Sequence, residues 1–243
     1  MHRWLAERTV DQLALRPGPR IIDLCAGTGL AVRSAVDRLR GKGDFIAVDV
    51  ATRLLAVARE AAAGQFALAT VAADVNVLPF ADDSADVAIC VAAIAYMPNP
   101  VAALPEWRRV LRHDGLLAVQ TFRAGTMTVR RIQREASEAV GVHLTDPNAA
   151  LGGEDRLQSA LEEAGSDIVA LGADTWESEL PEPGPAWTGW IDGFTRASLR
   201  ELPTEGLERV KAEFLGRLHD AKRRQNARDH WSALFVTARH NGD

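Results

Sequence analysis

The fold is decided by one stretch near the amino terminus, Arg20-Ile21-Ile22-Asp23-Leu24-Cys25-Ala26-Gly27-Thr28-Gly29. Its first half is a short run of β-branched and apolar residues, which predicts a buried strand. Its second half ends in two glycines one residue apart, a turn that lets the backbone approach a ligand closely. A helical pattern follows at once. The stretch therefore predicts a strand, a tight turn and the exposed N–H groups of a helix N-terminus.

Strand and helix patterns alternate through the first half of the chain. Further strand patterns stand at 45–49, 68–72, 86–91 and 116–122, and helical patterns separate most of them. This order predicts βαβ units and a doubly wound, mostly parallel α/β sheet. Such sheets bind ligands at the carboxyl ends of their strands, near the reversal in strand order. Candidate functional residues are therefore expected where these strands end.

Three acids stand at three successive strand ends. Asp49 is placed to accept both hydroxyls of a ribose, and Asp74 could accept an adenine amino group. Asp23, just before the glycine turn, would repel a pyrophosphate but suits a ligand with an ammonium or sulfonium centre. Each acid alone could be a cap or turn residue, but the set beside a glycine turn is more specific. Asp23 and the lack of a G-x-G-x-x-G triple argue against a nicotinamide cofactor.

Six ordered motifs resemble those of class I S-adenosylmethionine-dependent methyltransferases, and the match looks closest to the small-molecule branch that includes ubiquinone/menaquinone biosynthesis. They are Ile21–Gly29, Ala47–Val50, Leu54–Arg59, Ala73–Phe80, Asp82–Val87 and Arg108–Leu117. The resemblance covers residues 20–122, and residues 233–239 resemble the family's last strand. It implies a Rossmann-like fold with a seven-stranded sheet and a helical cap. It also implies S-adenosylmethionine as cofactor and methyl transfer by in-line displacement.

The resemblance implies a role for each matching position. Five residues would lie near the methionine part of the cofactor: Asp23, Ala26, Gly27, Val91 and Ala92. Gly29 would complete the turn, and Asp49 would hold the ribose diol. The adenine would be surrounded by Val50, Leu54, Asp74 and Val75. Three places depart from the pattern: Ala85 replaces the usual phenylalanine before Asp86, His113-Asp114 replaces the usual Pro-Gly turn, and the third is Cys25. Cys25 stands where many members have glycine, and this change is tolerated if the φ angle of the residue is negative.

Catalytic and substrate-binding residues are harder to identify from the sequence. Tyr96 and His143 are the candidate bases, although Tyr96 also suits a pocket wall and His143 also suits an ordinary surface position. The predicted substrate-binding residues are Tyr96, Arg123, Trp176, Trp187, Trp190 and Phe194. An aromatic set of this kind suits a flat or lipophilic substrate. Arg123 could equally form a structural ion pair, and the aromatic residues could simply bury a cap against the core.

Composition excludes several classes of protein. The net charge of −5 disfavours nucleic acid as a partner, and two cysteines supply neither a disulfide framework nor a four-thiolate zinc site. No histidine pair has helical metal spacing, so no metal is predicted. The longest apolar run is too short for a membrane helix, and the first residues lack the apolar stretch of a signal peptide. We therefore expect a cytoplasmic protein with a small-molecule substrate, either a monomer or a homodimer.

The domain prediction is a single methyltransferase domain over residues 1–243. Its cofactor-binding core spans about 20–122, with closing strands at about 166–179 and 231–239. Residues 1–16, 124–150 and 180–229 are surplus to cofactor binding and are predicted to form a substrate cap.

The leading functional hypothesis is methyl transfer to O, C or N of an aromatic or polyketide-like metabolite. One alternative keeps the same fold and cofactor but catalyses a reaction such as cyclisation. The others are a nicotinamide-dependent oxidoreductase and a non-catalytic interaction module. The sequence does not identify the acceptor.

Overall fold

The computed structural model describes residues 1–16, 18–192, 199, 201–224 and 227–241. Seven strands form one sheet. They are β1 (Arg20–Leu24), β2 (Asp44–Asp49), β3 (Ala69–Ala72), β4 (Ala85–Val91), β5 (Leu111–Phe122), β6 (Ser166–Glu179) and β7 (Arg228–His240). The described helices are α1 (His2–Asp11), α2 (Leu30–Leu39), α3 (Thr52–Ala62), α4 (Leu104–Val110), α5 (Thr128–Glu138), α6 (Glu154–Glu163), α7 (Pro183–Asp192) and α8 (Thr204–Arg223).

The strand order across the sheet is β3-β2-β1-β4-β5-β7-β6. β1 pairs in parallel with both β2 and β4, and the outer pairs β2–β3 and β4–β5 are parallel as well. β7 runs antiparallel to β5. The predicted α/β fold with a mostly parallel, seven-stranded sheet is therefore confirmed. The strand order reverses beside β1, so the carboxyl ends of β1 and β4 flank the crevice in which sheets of this type bind ligands.

The chain divides into two compact units. The larger contains Met1–Phe122, Ala150–Asp174 and the residues from Ala233 onward, and the smaller contains Arg123–Ala149 and Thr175–Ser232. Of the segments predicted to form a cap, 124–149 and 180–229 fall in the smaller unit, while 1–16 falls in the larger. The assignment of these segments to a substrate cap stays a prediction.

Apolar side chains on both faces of the sheet form the core of the larger unit. The central strands carry almost no exposed side chain, as expected of parallel strands covered by helices on both sides. Trp107 of α4 is fully buried on one face, and Val10 of α1 is buried on the other. Burial of one large apolar side chain stabilises the fold by about 1.5–3 kcal/mol. The strand ends therefore project from a well-packed core.

The smaller unit has a core of its own, built by three amphipathic helices. Ile132 of α5 and Phe214 of α8 are buried in it together with Trp190 of α7. The rings of Trp190 and Phe214 lie with their centroids 5.2 Å apart, and Trp187 packs edge-on against Trp190 at 5.5 Å. Trp187 and Trp190, two of the predicted substrate-binding residues, thus contribute to the packing of this unit.

Three segments differ from the sequence prediction, and the first is β5, which begins at Leu111 and not at 116. The run of prolines and glycine at 181–185 reads as a connection, yet α7 begins within it at Pro183, because proline is accepted in the first turn of a helix. Residues 99–111 read as one helix, but the chain forms a short 3-10 turn at Val101–Ala103 and then α4. At 181–185 the sequence does not predict the helix, and at 99–111 it predicts a helix but not its first residue.

Candidate functional site

The turn after β1 is tied to the neighbouring strand. The N–H of Ala26 donates to the carbonyl oxygen of Val48 at 2.9 Å, so the turn starts against the end of β2. Gly29 has a φ of +77°, and a Cβ built there would lie 3.1 Å from the Cβ of Ala58, which makes glycine necessary. Gly27 also has a positive φ, but a Cβ built there would meet no heavy atom within 4 Å. The backbone is therefore packed at Gly29 and open to a ligand at Gly27.

Cys25 departs from the expectation for its backbone. Its φ is +53°, in the left-handed region, whereas tolerance of a non-glycine residue was expected from a negative φ. A left-handed conformation costs a residue with a Cβ about 1–2 kcal/mol. The thiol lies half-buried against the core that also holds Cys90, so apolar packing supplies part of the compensation.

The carboxylate of Asp49 accepts hydrogen bonds from two segments, the turn after β1 and the start of the segment after β2. Oδ2 accepts the N–H of Gly27 and Oδ1 accepts the N–H of Ala51, both at 2.8 Å. A carboxylate offers about four acceptor sites on its two oxygens, so each oxygen can take a further hydrogen bond. Asp49 therefore braces the glycine turn and still has the acceptor capacity that a ribose diol needs.

Asp23 lies beneath the turn and is almost completely buried. Its Oδ2 accepts the N–H of Val32 at 2.9 Å, in the first turn of α2. Burial raises the pKa of this carboxyl group to about 7, the Val32 N–H opposes the rise, and the nearby charge of Asp49 adds to it. Two carboxylates in this position favour a ligand with positive charge, since a cation would relieve their repulsion.

The loop after β3 contains the third acid, which is exposed. Asp74 accepts hydrogen bonds from the backbone and side-chain nitrogens of Asn76, at 2.9 and 2.7 Å, and these bonds lower the pKa of its carboxyl group. The side chain of Val75 is buried in the core, and its carbonyl oxygen accepts the indole N–H of Trp107. Asp74 is thus placed for a ligand contact, while Val75 presents chiefly its backbone.

Apolar side chains stand exposed near these acids. Val50 is 71% exposed and Leu54 is 42% exposed, directly after the end of β2. Val77, in the loop after β3, is 75% exposed and was not among the predicted site residues. Large aliphatic side chains left in water at a strand edge that also carries acids are typical of an open binding site. The sequence feature that could have identified Val77 is its position three residues after Asp74.

The turn after β4 is built by backbone and by one distant side chain. Ala92 has a φ of +54°, and its N–H donates to Oε1 of Gln120 at 2.9 Å. Tyr96 follows in a 3-10 turn and is 44% exposed. Gln120 was not predicted as a site residue, although a lone glutamine in the apolar run 116–122 is a recognisable signal.

The remaining predicted residues that the structure describes lie in the smaller unit. The backbone N–H of Arg123 donates to the carbonyl oxygen of Ser232, Trp176 is 37% exposed, and Trp187 is partly buried beside the buried Trp190. His143 is exposed, and its ring Nδ1 lies 3.3 Å from Oε1 of Glu138. Phe194 lies outside the described residues. The substrate-binding and catalytic roles of these residues stay predictions.

Within the described part of the chain, no group of three or more histidine, cysteine, aspartate or glutamate side chains could hold a metal ion. In those same ranges, no helix is both long enough and apolar enough to cross a membrane.

Comparison with known proteins gives a family match and several relatives. The methyltransferase domain family matches residues 22–119, which confirms the resemblance seen in the motifs. Demethylmenaquinone methyltransferase of Beutenbergia cavernae is 36% identical over 122 residues, covering 50% of this chain and 48% of that protein. 2-Phytyl-1,4-naphtoquinone methyltransferase of Trichormus variabilis is 31% identical over 150 residues, covering 60% of this chain and 65% of that protein. The chain thus spans about half to two thirds of these relatives.

Solved structures agree on the fold. The crystal structure of the YcgJ protein from Bacillus subtilis superposes with a TM-score of 0.66 at 16% sequence identity, and the match covers 100% of each chain. At that identity, the likeness concerns the architecture of the sheet and its helices.

Proposed function

We propose that the chain is a class I methyltransferase, which binds S-adenosylmethionine and transfers its methyl group to a small molecule, because residues 22–119 match the methyltransferase domain family. The observation that carries the proposal is the environment of Asp49. This carboxylate is braced by the N–H groups of Gly27 and Ala51 and stands beside the exposed side chains of Val50 and Leu54. Acceptors for a ribose diol thus adjoin an apolar surface for a purine.

Each part of the cofactor has matching residues in the larger unit. Asp49 would accept the ribose hydroxyls, and Asp74 would accept the adenine amino group above Val50 and Leu54. The open backbone at Ala26–Gly27 would lie against the methionine part. Val91 and Ala92 would form the wall of the site beside the methionine part. The negative charges of Asp23 and Asp49 would favour the positive charge of the cofactor. The backbone of Val75 and the turn at Gly29 complete the proposed set.

The sulfonium centre supplies a methyl group that is already activated for displacement. The chain's own task is therefore to hold an acceptor atom in line with that group and to exclude water. Positioning of this kind can contribute about 7–11 kcal/mol to lowering the barrier, whereas a general base contributes typically about 10²–10⁴-fold in rate. Positioning is the larger effect, so the reaction does not require a dedicated base.

Tyr96 and His143 are the proposed candidates if a base is used. Measuring kcat for the variants Tyr96→Phe and His143→Gln distinguishes catalysis by a general base from catalysis by positioning alone. Loss of more than about tenfold in kcat, with unchanged cofactor affinity, would identify the base. Retention of kcat in both variants would favour positioning alone.

The acceptor is proposed to be a flat, lipophilic small molecule, methylated at O, C or N. Two of the relatives are named for demethylmenaquinone and for a phytyl naphthoquinone, both aromatic molecules with a long apolar chain. The proposed acceptor contacts are Tyr96, Arg123, Trp176, Trp187, Trp190 and Phe194. The chain would then be one methyltransferase domain whose cofactor-binding core is residues 20–122 and whose cap supplies substrate contacts.

Calorimetric titration with S-adenosylmethionine tests the proposal. We expect Asp49→Ala to weaken binding about 10- to 100-fold, because a hydrogen bond to a charged group contributes about 1.5–3 kcal/mol. Asp49→Asn, which keeps one acceptor oxygen, should lose less. Asp44→Ala is the matched control, since Asp44 is an exposed acid at the opposite end of the same strand. Unchanged affinity in Asp49→Ala would contradict the cofactor assignment.

Product analysis separates the alternatives that share the cofactor. Formation of S-adenosylhomocysteine together with a methylated acceptor is expected for a methyltransferase. A reaction such as cyclisation would convert its substrate without forming S-adenosylhomocysteine. Thermal stabilisation by NAD and not by S-adenosylmethionine would instead support the oxidoreductase.

A further inference from the structure

Gln120 is a polar residue in the middle of an apolar strand. It lies in β5, its side chain is fully buried, and its neighbours in the strand include Ala118 and Phe122. A buried amide costs free energy unless its donor and acceptor are both paired. A residue of this kind is retained for the hydrogen bonds that it makes.

Both ends of the Gln120 amide are paired with backbone groups. Oε1 accepts the N–H of Ala92 at 2.9 Å, and Nε2 donates to the carbonyl oxygen of Thr121 at 2.6 Å. Only this orientation of the amide satisfies both partners, because a flipped amide would place two donors together and two acceptors together. The side chain is therefore locked between its own strand and the end of β4.

Ala92 is the residue at which β4 stops. Val91 still pairs with Gln120 in the parallel ladder, but Ala92 has a φ of +54° and the chain then enters the 3-10 turn at Ile94–Tyr96. The left-handed region is unfavourable for a residue with a Cβ. The hydrogen bond from the Ala92 N–H to Oε1 of Gln120 offsets part of that cost, since it pairs the first backbone donor beyond the end of the ladder.

We propose that Gln120 is a positioning residue for the cofactor site. Its amide ends β4 after Val91 and holds the backbone of Ala92 in the left-handed conformation. It thereby sets the wall of the site at the methionine end and the start of the turn that carries Tyr96. The part that concerns the ligand rests on the proposed function, whereas the effect on the Ala92 backbone does not.

Amide hydrogen exchange of Ala92, followed by NMR in the ligand-free protein, is the first measurement. Gln120→Met has a similar volume but no amide, so we expect the protection factor of the Ala92 N–H to fall at least about tenfold. Thr121→Val is the matched control. Thr121 is the next residue of β5, equally buried, and among the described residues its hydroxyl has no hydrogen-bond partner. Its variant should leave the protection of Ala92 unchanged.

Affinity for S-adenosylhomocysteine, measured by calorimetry, is the second readout. Gln120→Met should weaken binding about tenfold or more, and Thr121→Val should bind as the unmodified protein does. Gln120→Glu, studied at pH 6, is the conservative variant. A protonated carboxyl group, which burial favours, can accept from Ala92 and donate to Thr121 as the amide does. It should restore most of the protection and of the affinity, and it keeps the proposal testable if Gln120→Met does not fold.

The outcomes separate this proposal from the proposed function. Unchanged protection of Ala92 in Gln120→Met would overturn the positioning role, whatever the chain binds. Lost protection with unchanged affinity would overturn the role toward the ligand. If the unmodified protein binds neither S-adenosylmethionine nor S-adenosylhomocysteine but Gln120→Met still loses protection, the proposed function fails. The effect of Gln120 on the β4 turn then stands.

Discussion

The indole N–H of Trp107 donates to the carbonyl oxygen of Val75 at 3.0 Å, with both groups buried. This bond ties α4 to the loop after β3, which also contains the exposed Asp74. Trp107 is also one of the largest fully buried side chains of the larger unit. A helix of the core thus holds one of the loops that border the candidate site.

Trp107→Phe is therefore expected to lower the free energy of unfolding by about 2–4 kcal/mol. It leaves the Val75 carbonyl unpaired and opens a cavity. Urea denaturation followed by circular dichroism measures the change. Trp176→Phe, at a partly exposed position, is the control and should cost less than about 1 kcal/mol. Equal effects of the two changes would contradict the importance of the buried bond.

The raised pKa of Asp23 predicts how stability depends on pH. In the folded state this carboxyl group has a pKa of about 7, against 3.8 as the ordinary value. The folded protein therefore holds a proton that the unfolded chain releases between about pH 4 and 7, so this contribution to stability is lost as the pH rises through that window. Asp23→Asn lacks the titration and can still accept the Val32 N–H. Its stability relative to the unmodified protein should rise from pH 4 to 7, by up to about 4 kcal/mol.

Chemical denaturation of both proteins at several pH values between 4 and 8 measures this difference. Parallel stability profiles for Asp23→Asn and the unmodified protein would contradict the raised pKa.

The left-handed backbone of Cys25 predicts an order among substitutions. Cys25→Ala and Cys25→Gly both remove the thiol, but only glycine removes the cost of a φ of +53°. We expect the glycine variant to be more stable than the alanine variant by about 0.5–1 kcal/mol, once the chain entropy of glycine is subtracted. Thermal unfolding of the two variants gives the comparison. Higher stability of the alanine variant would mean that residue 25 does not occupy this conformation.

The two thiols should differ in reactivity. Cys90 is fully buried, and its hydrogen bond with the Cys25 thiol and its burial raise the pKa of its own thiol well above the ordinary value. The thiolate is the reactive form, so Cys90 should react with a disulfide reagent such as Ellman's only after unfolding. Cys25 is half-buried and should account for all the slow labelling of the folded protein. Labelling of a folded Cys25→Ala variant would refute this assignment, and guanidinium-unfolded protein gives the full count of two.

The features of the fold that follow from local patterns were predictable from the sequence. Alternating strand and helix patterns locate β1 to β5, and the acids at 23, 49 and 74 mark the edge of the sheet at which we propose that the ligand binds. These signals depend on a few neighbouring residues and on the fixed geometry of parallel sheets. For the same reason, the position of Asp49 at the end of β2, beside the glycine turn, could be predicted from the sequence alone.

Features that depend on distant partners were not predictable in this way. The bond from Ala92 to Gln120 joins two strands, and the positive φ of Cys25 arises from how the turn packs against the core. The burial of Trp190 against Phe214 likewise requires α7 and α8 to meet. Nothing in the nearby sequence specifies such contacts, because they are consequences of the assembled fold.

The two backbone bonds of Asp49 also affect the thermodynamics of binding. They fix the rotamer of the carboxylate before any ligand arrives, so association does not have to immobilise that side chain. The saving is about 0.5–1.5 kcal/mol for each rotamer-rich side chain that is already ordered. A crystal structure with ligand should therefore show the same χ1 and χ2 for Asp49 as the free protein, because the side chain is preorganised for binding.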